Sequence, residues 1–212
     1  MNIPKNIYIC DKTITNIEKI SKKLWKDLNP EYSIKLYDDE MCKQFFLKYY
    51  SPLHLRIFNS LKDGPIKSDF WRVCILYKFG GIYSDADNEP LIPLRQFIDE
   101  DVIFITCSSY WESHKFNPNF IAAPMHSPIL KSCMEWYISK YMNKEPYDYW
   151  GWSIMTGLSK CLILRNFSDQ DGIYLSDYGK VQILKECEGN NHHDDHNIYN
   201  NIRIFNNRMT EW

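Results

Sequence analysis

The sequence contains no apolar stretch approaching the roughly 18 residues that a membrane-spanning helix needs. Its opening residues, 1–5, also lack the apolar segment of a secretory signal peptide. Basic residues are not in excess, because 25 lysines and arginines stand against 27 acidic residues and give a net charge of −2. The basic residues are scattered, so no stripe exists for a nucleic-acid groove. We therefore predict no transmembrane segment and exclude nucleic acid as the main partner.

The sequence also has no CxxC pair, and its seven cysteines are odd in number and widely spaced. This pattern does not fit a disulfide framework or a zinc site. It favours reduced thiols in a reducing compartment, so we predict a cytoplasmic location. With 212 residues, of which 44% are hydrophobic, the chain is long enough to bury a substantial core. The simplest organisation is one domain over residues 1–212.

The most informative stretch runs from Ile66 to Pro90. Apolar residues recur at helical spacing up to Phe79, which predicts a largely buried helix. Gly80-Gly81 follows and is typical of a helix end, because a left-handed conformation there costs a side-chain-bearing residue energy. Residues 82–84 then read as a short strand that is stopped by 88–90.

Asp85 and Asp87 stand at the far end of that strand. Alternate residues of a regular strand point to one face, so both carboxylates could converge on one ligand. Hard oxygen donors suit Mg or Mn, which often bind substrate phosphates through one or two carboxylates. The alternative is that Asp-x-Asp has arisen by chance in a loop.

Asp69 and Arg72 lie three residues apart on the preceding helix, in a segment too apolar to leave both in water. They could serve the same site as the two carboxylates. The alternative is a structural ion pair beneath the strand.

These residues resemble the signature of the DXD sugar-binding glycosyltransferases. The shared features are Lys67-Ser68-Asp69-x-x-Arg72, Gly80-Gly81 and the block from Ile82 to Asp87. The closest pattern is glycosyltransferase family 32, the yeast initiating mannosyltransferase type, with the clostridial glucosylating toxins more distant. Weaker matches at 3–8, 29–40 and 119–128 follow in the same order, so the resemblance spans nearly the whole chain.

The resemblance implies a GT-A-like, Rossmann-like α/β domain that transfers a hexose from a UDP- or GDP-sugar to a carbohydrate, protein or lipid acceptor, with retention. Two alternatives remain open. The same carboxylates and cation could serve a sugar-nucleotide hydrolase, or the chain could be a sugar-nucleotide-binding module that has lost its chemistry.

The resemblance also implies the roles of individual residues. It implies that Asp69, Arg72 and Asp85 are the catalytic residues. Asp69 would contact the hydroxyls of the donor sugar, and Arg72 would contact its phosphate region. Asp87 binds the Mn or Mg ion directly, and Asp85 binds it through water or contacts the ribose. The predicted nucleotide-sugar contacts are Ile9, Ser68, Asp69, Arg72, Tyr83, Asp85, Ala86 and Trp212. For Tyr83, packing in the core is an equal alternative.

Relatives often end with a histidine-containing segment that adds a metal contact and covers the diphosphate. In this sequence Asn206 or Asn207 occupies the place of the histidine, and residues 210–212 correspond to the three residues that close this segment in relatives. An amide oxygen can still ligate Mg or Mn. Residues from about 186 to 212 could therefore form a lid.

The remaining elements alternate in the order β-α-β-α. Residues 7–10 and 33–37 read as strands, a helix capped by Thr15 lies between them, and Asp38 or Asp39 caps the next helix. Such alternation predicts a mainly parallel sheet flanked by helices. Ligands of such sheets bind beyond the strands' carboxyl ends, which places the nucleotide base near residues 9–13.

Two further stretches stand out. Residues 147–152 hold four aromatics beside a glycine and could form a wall for an acceptor or donor sugar, or simply an aromatic core with a rim. Residues 192–196 read His-His-Asp-Asp-His, but their asparagine-rich surroundings favour a solvated loop over a metal site.

Overall fold

A curled β-sheet runs through the protein, with helices on both faces, in a computed structural model that describes residues 3–189 and 194–207. The elements in chain order are β1 (Asn6–Cys10), α1 (Ile14–Leu28), β2 (Ser33–Tyr37), α2 (Asp39–Tyr49), α3 (Pro52–Ser60), α4 (Gly64–Phe79), β3 (Gly81–Ser84), β4 (Asn88–Pro90), a 3-10 turn (Leu94–Gln96), β5 (Phe104–Ser108), β6 (Phe116–Ala123), α5 (Pro128–Met142), α6 (Tyr149–Trp152), α7 (Ile154–Cys161), β7 (Gly172–Ser176), β8 (Gly179–Cys187), β9 (His196–Tyr199) and β10 (Ile202–Asn207).

The α/β class is confirmed, but the sheet is mixed rather than mainly parallel. Its strand order is β2-β1-β3-β6-β5-β8-β9-β10-β4, with β7 paired to β8. Among the strand pairs within residues 3–189 and 194–207, only β1·β2, β1·β3 and β5·β8 are parallel. The strict strand-helix alternation stops after α2, because α3 and α4 follow it without an intervening strand. Later strands that are joined by short connections pair antiparallel, as in β7·β8 and β9·β10. The β-α-β-α order of the first elements therefore did not justify the prediction of a mainly parallel sheet for the whole chain.

The sheet has to curl because of the short link between β3 and β4. Five strands separate them along the sheet. Yet only residues 85–87 join the end of β3 to the start of β4. Four residue steps reach at most about 14 Å. The two strands are thus neighbours in space, and the Asp-x-Asp segment bridges two distant parts of the sheet.

The buried core lies in two clusters on opposite faces of the sheet. Along β3, Tyr83 packs into the cluster formed with α4, whereas Ile82 packs into the cluster that contains Trp25 of α1. The same alternation sends Tyr8 to the first cluster and Ile9 to the second. Side chains on the Tyr83 face therefore meet α4, which carries Asp69 and Arg72.

Several local predictions are confirmed. α4 ends at Phe79 as expected and begins two residues before Ile66. The Asp38 carboxylate caps α2 by accepting a hydrogen bond from the Met41 amide at 2.8 Å. The cap of α1 was predicted wrongly, because the helix begins after Thr13 rather than at Thr15.

Among the helices of the described ranges, none is both long and apolar enough to cross a membrane.

The C-terminal segment contributes strands to the sheet up to Asn207. β9 and β10 form an antiparallel pair, and β10 also pairs with β4. Trp212 and its neighbours from 208 onward lie outside the described residues, as do His192 and His193. A lid over 186–212 and the single-domain organisation stay predictions.

Gly80 has a backbone conformation that requires glycine. Its φ of 60° and ψ of −174° fall in a region that other residues essentially do not adopt. A Cβ atom there would lie 2.6 Å from the Met125 amide nitrogen and 2.9 Å from the Pro4 ring. α4 can therefore turn directly into β3 only if residue 80 lacks a side chain.

We predict that Gly80→Ala lowers the free energy of unfolding by about 2 kcal/mol or more, because strain and a backbone clash add together. The measurement is urea denaturation. Gly64→Ala is the matched control, since a Cβ at Gly64 meets nothing within 4 Å. Equal stability of the two variants would contradict the requirement for glycine at position 80.

Candidate active site

The two aspartates of the Asp-x-Asp segment lie in a turn, not on a strand. β3 ends at Ser84, and the amide of Asn88 donates to the carbonyl of Asp85 at 3.2 Å, which closes the turn. The Asp85 amide in turn donates to the Asn119 carbonyl at 2.8 Å and so ties the turn to β6. The prediction that strand alternation sets the direction of both carboxylates is wrong, because the ladder ends one residue too early.

Arg72 is the centre of the site. Its Nη2 atom lies 3.1 Å from Asp69 Oδ1 and 3.2 Å from Asp85 Oδ1. Nη1 donates to the Pro118 carbonyl at 2.8 Å. The guanidinium stacks over the Tyr83 ring at 4.1 Å from the ring centroid. Because the side chain is only 6% exposed, these protein groups replace the water that a buried cation loses.

Tyr83 and Ser68 complete this cluster from β3 and α4. The Tyr83 hydroxyl donates to Asp85 Oδ1 at 2.5 Å. Ser68 Oγ lies 3.1 Å from the Tyr83 hydroxyl and accepts a hydrogen bond from Arg72 at 3.2 Å. Tyr83 therefore packs in the core, as one of its two alternatives predicted, and also holds the Asp85 carboxylate, while its contact with the donor stays a prediction.

The Asp69 carboxylate is fixed at both oxygens. Oδ1 pairs with Arg72, and Oδ2 accepts a hydrogen bond from the Ile154 amide at 3.0 Å, at the start of α7. Burial raises the pKa of Asp69 to about 6, although the Arg72 charge and this hydrogen bond act against the rise. Asp69 is thus a rigid hydrogen-bonding group at the junction of α4 and α7.

One arginine does not neutralise all the acids around it. Burial raises the pKa of Asp85, while Arg72 and the Tyr83 hydroxyl lower it. Burial and the neighbouring Asp85 raise the pKa of Asp87 to about 7. Burial alone would lower the pKa of Arg72, but the surrounding acids hold it above its usual range. Asp85 is therefore paired, whereas Asp87 lacks a comparable cationic partner among the described residues.

The other side of the turn is formed by amides from β4 and β10. Asn207 pairs with Asn88 and Asn206 with Glu89 in the antiparallel ladder. Asn206 donates to the Glu89 carboxylate at 3.0 Å. By contrast, the side-chain oxygens of Asn207 and Asn88 are buried and have no hydrogen-bond partner within the described ranges. Of the two asparagines predicted as metal ligands, Asn207 has a buried oxygen without a partner among the described residues, whereas the side chain of Asn206 is held on Glu89 through its amide nitrogen.

The remaining predicted contacts are spread around the cluster. Ile9 is fully buried on the opposite face of the sheet, so its side chain lies away from Arg72. The next residue, Cys10, is on the near face, and its thiol lies 3.0 Å from Ser68 Oγ. Ala86 packs against the second core cluster. Trp212 falls outside the described residues.

Sequence reasoning missed Cys10, Asn88 and Asn119 as parts of the site. The Asn88 amide donates to Ser84 Oγ at 3.1 Å and to the Asn119 carbonyl at 2.8 Å. The Asn119 side chain also bonds to Asn197 at 3.2 Å. The signal for Asn119 was its place at the start of the third family-like segment, 119–128.

Within the described residues, no group of three His, Cys, Asp or Glu side chains is arranged to hold a metal ion. Amide oxygens are a further class of ligand. The oxygen donors near the turn include the carboxylates of Asp85 and Asp87 and the side-chain oxygens of Asn88 and Asn207. At the His-rich stretch, His196 bonds to the Asp194 carbonyl at 2.9 Å, and the two preceding histidines are not described.

Glu186 of β8 is a buried acid that the sequence did not single out. Its carboxylate accepts hydrogen bonds from the Asn117 side chain and, at 3.4 Å, from the Tyr110 amide. The Tyr110 hydroxyl donates to Asp195 at 2.9 Å. Burial raises the pKa of Glu186 to about 7, and the nearby Asp195 contributes to the rise.

We predict that Glu186→Gln changes how stability depends on pH. Between about pH 4.5 and 7 the native state holds a proton on Glu186 that the unfolded chain has released, so the free energy of unfolding falls as the pH rises. Glutamine stays neutral and removes this loss. The variant should therefore gain up to about 3 kcal/mol over the wild type from pH 5 to pH 8.

Urea denaturation of both proteins at the two pH values measures this difference. Glu112→Gln, a change at an exposed glutamate, is the control and should leave the pH dependence unaltered. If the wild type and the Glu186→Gln variant differ in stability by the same amount at pH 5 and pH 8, Glu186 ionises normally in the native state.

Comparison with known proteins agrees with this geometry. Residues 16–104, which include α4 and the Asp-x-Asp turn, match a family described as the glycosyltransferase sugar-binding region containing a DXD motif. An initiation-specific alpha-1,6-mannosyltransferase of Candida albicans is 27% identical over 48% of this chain and 29% of its own length. Inositol phosphoceramide mannosyltransferase 3 of Schizosaccharomyces pombe is 37% identical over 45% of this chain and 28% of its own length.

The sequence matches thus span less than a third of either relative and about half of this chain. A solved structure, the PaToxG glycosyltransferase, covers 75% of this chain and 67% of its own with a TM-score of 0.58 and 18% identity. That likeness extends the GT-A-like fold well beyond the matched sequence. Over residues 16–104 by sequence, and more widely by fold, the chain is similar to the glycosyltransferases whose sugar-binding region contains a DXD motif.

Proposed function

We propose that this chain is a metal-dependent glycosyltransferase that transfers a hexose from a nucleotide-diphosphate sugar to an acceptor, with retention. The observation that carries the proposal is the Arg72 cluster, in which Asp69 and Asp85 are held beside the Asp-x-Asp turn. The proposed base is uracil or guanine. Because two relatives are named mannosyltransferases, a mannosyl donor is the first to test. A cytoplasmic location remains a prediction.

A divalent cation fits the donors at the turn. Asp87 and Asp85 offer carboxylates, and Asn207 offers a buried amide oxygen with no partner among the described residues. These are the hard oxygen ligands that Mg and Mn prefer. When bound, the cation would neutralise charge on the leaving diphosphate.

The protein's own residues would orient the donor. Asp69, fixed at both oxygens, would accept hydrogen bonds from the sugar hydroxyls. Arg72 is almost fully enclosed, so its main contribution would be to hold Asp69 and Asp85 in place. The Tyr83 hydroxyl would keep Asp85 in one orientation. Such preorganised groups lower the reorganisation needed in the transition state.

The test is a thermal-shift screen of GDP- and UDP-sugars, starting with GDP-mannose, each with and without Mn. A ligand bound only to the native state raises the melting temperature. We expect one donor to stabilise the wild type only when Mn is present, and Asp87→Ala to lose that shift while keeping its own melting temperature. A donor shift without transfer to any acceptor would favour the binding module, and release of free sugar without an acceptor would favour a hydrolase.

The two asparagines provide a matched pair for the metal site. We predict that Asn207→Ala weakens Mn affinity by about tenfold or more, whereas Asn206→Ala does not, because the Asn207 oxygen is buried without a partner among the described residues while the Asn206 side chain is held on Glu89. Isothermal titration of Mn into each variant measures this. Equal affinities in both variants, or a greater loss with Asn206→Ala, would remove Asn207 from the metal site.

A further inference from the structure

The four aromatics of residues 147–152 are used in different ways. The Tyr147 hydroxyl donates to Asp63 at 2.5 Å, and the Trp152 indole donates to the Pro146 carbonyl at 3.0 Å. Trp152 is also buried in the core. Trp150, in contrast, is 65% exposed. Of the two predicted alternatives, an aromatic core therefore describes Trp152, whereas the exposed Trp150 is the residue available for an aromatic wall.

The backbone of Trp150 is fixed although its ring is exposed. Its carbonyl accepts hydrogen bonds from the amide and hydroxyl of Ser153 at 3.3 and 2.9 Å and from the Thr156 hydroxyl at 2.9 Å. Asp148 caps the same turn by accepting from the Gly151 amide at 2.7 Å. An exposed indole on such a backbone loses little conformational entropy when a ligand binds.

The backbone of Trp150 is connected to the Arg72 cluster through Ser153 and the residue that follows it. The Trp150 ring meets the Tyr149 ring edge-on, with centroids 5.1 Å apart. Burial raises the pKa of Tyr149, and the charge of Asp69 adds to the rise. Four residues after Trp150, the Ile154 amide donates directly to Asp69. The exposed indole is thus attached to the turn that leads directly into the backbone segment bonded to Asp69.

We propose that Trp150, with the edge of Tyr149, is a stacking platform for a sugar ring of the acceptor. The proposal rests on the proposed glycosyltransferase function, and it narrows the acceptor to one that carries a pyranose. The apolar C–H face of a pyranose stacks on an indole, which offers a large flat surface. Asp69 and Arg72, which would serve the donor, are enclosed, so a ring on the exposed indole approaches from solvent.

The first experiment observes the indole directly. The ¹⁵N-labelled protein is titrated with methyl α-D-mannopyranoside and methyl β-D-glucopyranoside without donor or metal, and the Trp150 and Trp111 signals are identified by Trp→Phe variants. Trp111 is 64% exposed and serves as the internal control. We expect a saturable shift of the Trp150 signal by at least one glycoside and no shift of the Trp111 signal. An unmoved Trp150 signal, or equal shifts of both, would overturn the platform.

The second experiment links the platform to transfer. Trp150→Ala should lower kcat/KM for the responding glycoside about tenfold, whereas Trp150→Phe, which keeps a ring, and Trp111→Ala should stay near the wild type. The donor shift with Mn should be the same in all variants. Full transfer by a folded Trp150→Ala variant would overturn the platform while leaving the proposed function intact. Loss of the donor shift in the wild type itself would instead overturn the proposed function.

Discussion

The burial of one guanidinium is the constraint on which the site depends. Arg72 lies in a helix packed against the sheet, and a cation in that place is stable only if charged and polar groups surround it. Asp69 supplies one carboxylate from the same helix, Asp85 supplies another from the turn after β3, and Pro118 supplies a carbonyl from β6. Helix, turn and strand are thereby fixed relative to one another. A lysine could not replace Arg72, because a single ammonium group cannot match this planar set of partners.

The Arg72 cluster gives the two aspartates of the turn different electrostatic surroundings. Asp85 is neutralised by Arg72 and held by Tyr83, so it is preorganised before any ligand binds. Asp87 has no such partner in the described parts of the chain, and its carboxyl has a pKa of about 7. In the proposed enzyme, this difference would make Asp87 the group that gains most from a divalent cation. Asp85, whose charge Arg72 already balances, would then orient the bound ligand rather than supply negative charge.

Sequence patterns among neighbouring residues predicted the helices around the site well. The pairing of strands that are far apart in the sequence could not be predicted in this way. The end of α4 at Gly80 and the Asp38 cap depend on neighbouring residues, so the sequence pattern was sufficient. β7, β8 and β9 escaped detection, and their antiparallel pairing made the sheet mixed. The distinction between Asn206 and Asn207 depends on register with β4, more than a hundred residues earlier, and periodicity carries no information about it. The burial of Glu186 was hidden for the same reason, since its partners come from other strands.

The short bridge between β3 and β4 has a consequence for how the site assembles during folding. The turn itself is local and can form early, because α4, β3 and β4 are consecutive. β4, however, is a three-residue strand whose ladder partner is β10, and that contact has one of the largest sequence separations in the described chain. Closing so long a loop is slow, because its entropy must be lost before the contact stabilises anything. A folding intermediate with an intact Arg72 cluster would still lack the asparagine side of the turn, so the proposed cation site would be complete only in the last folding phase.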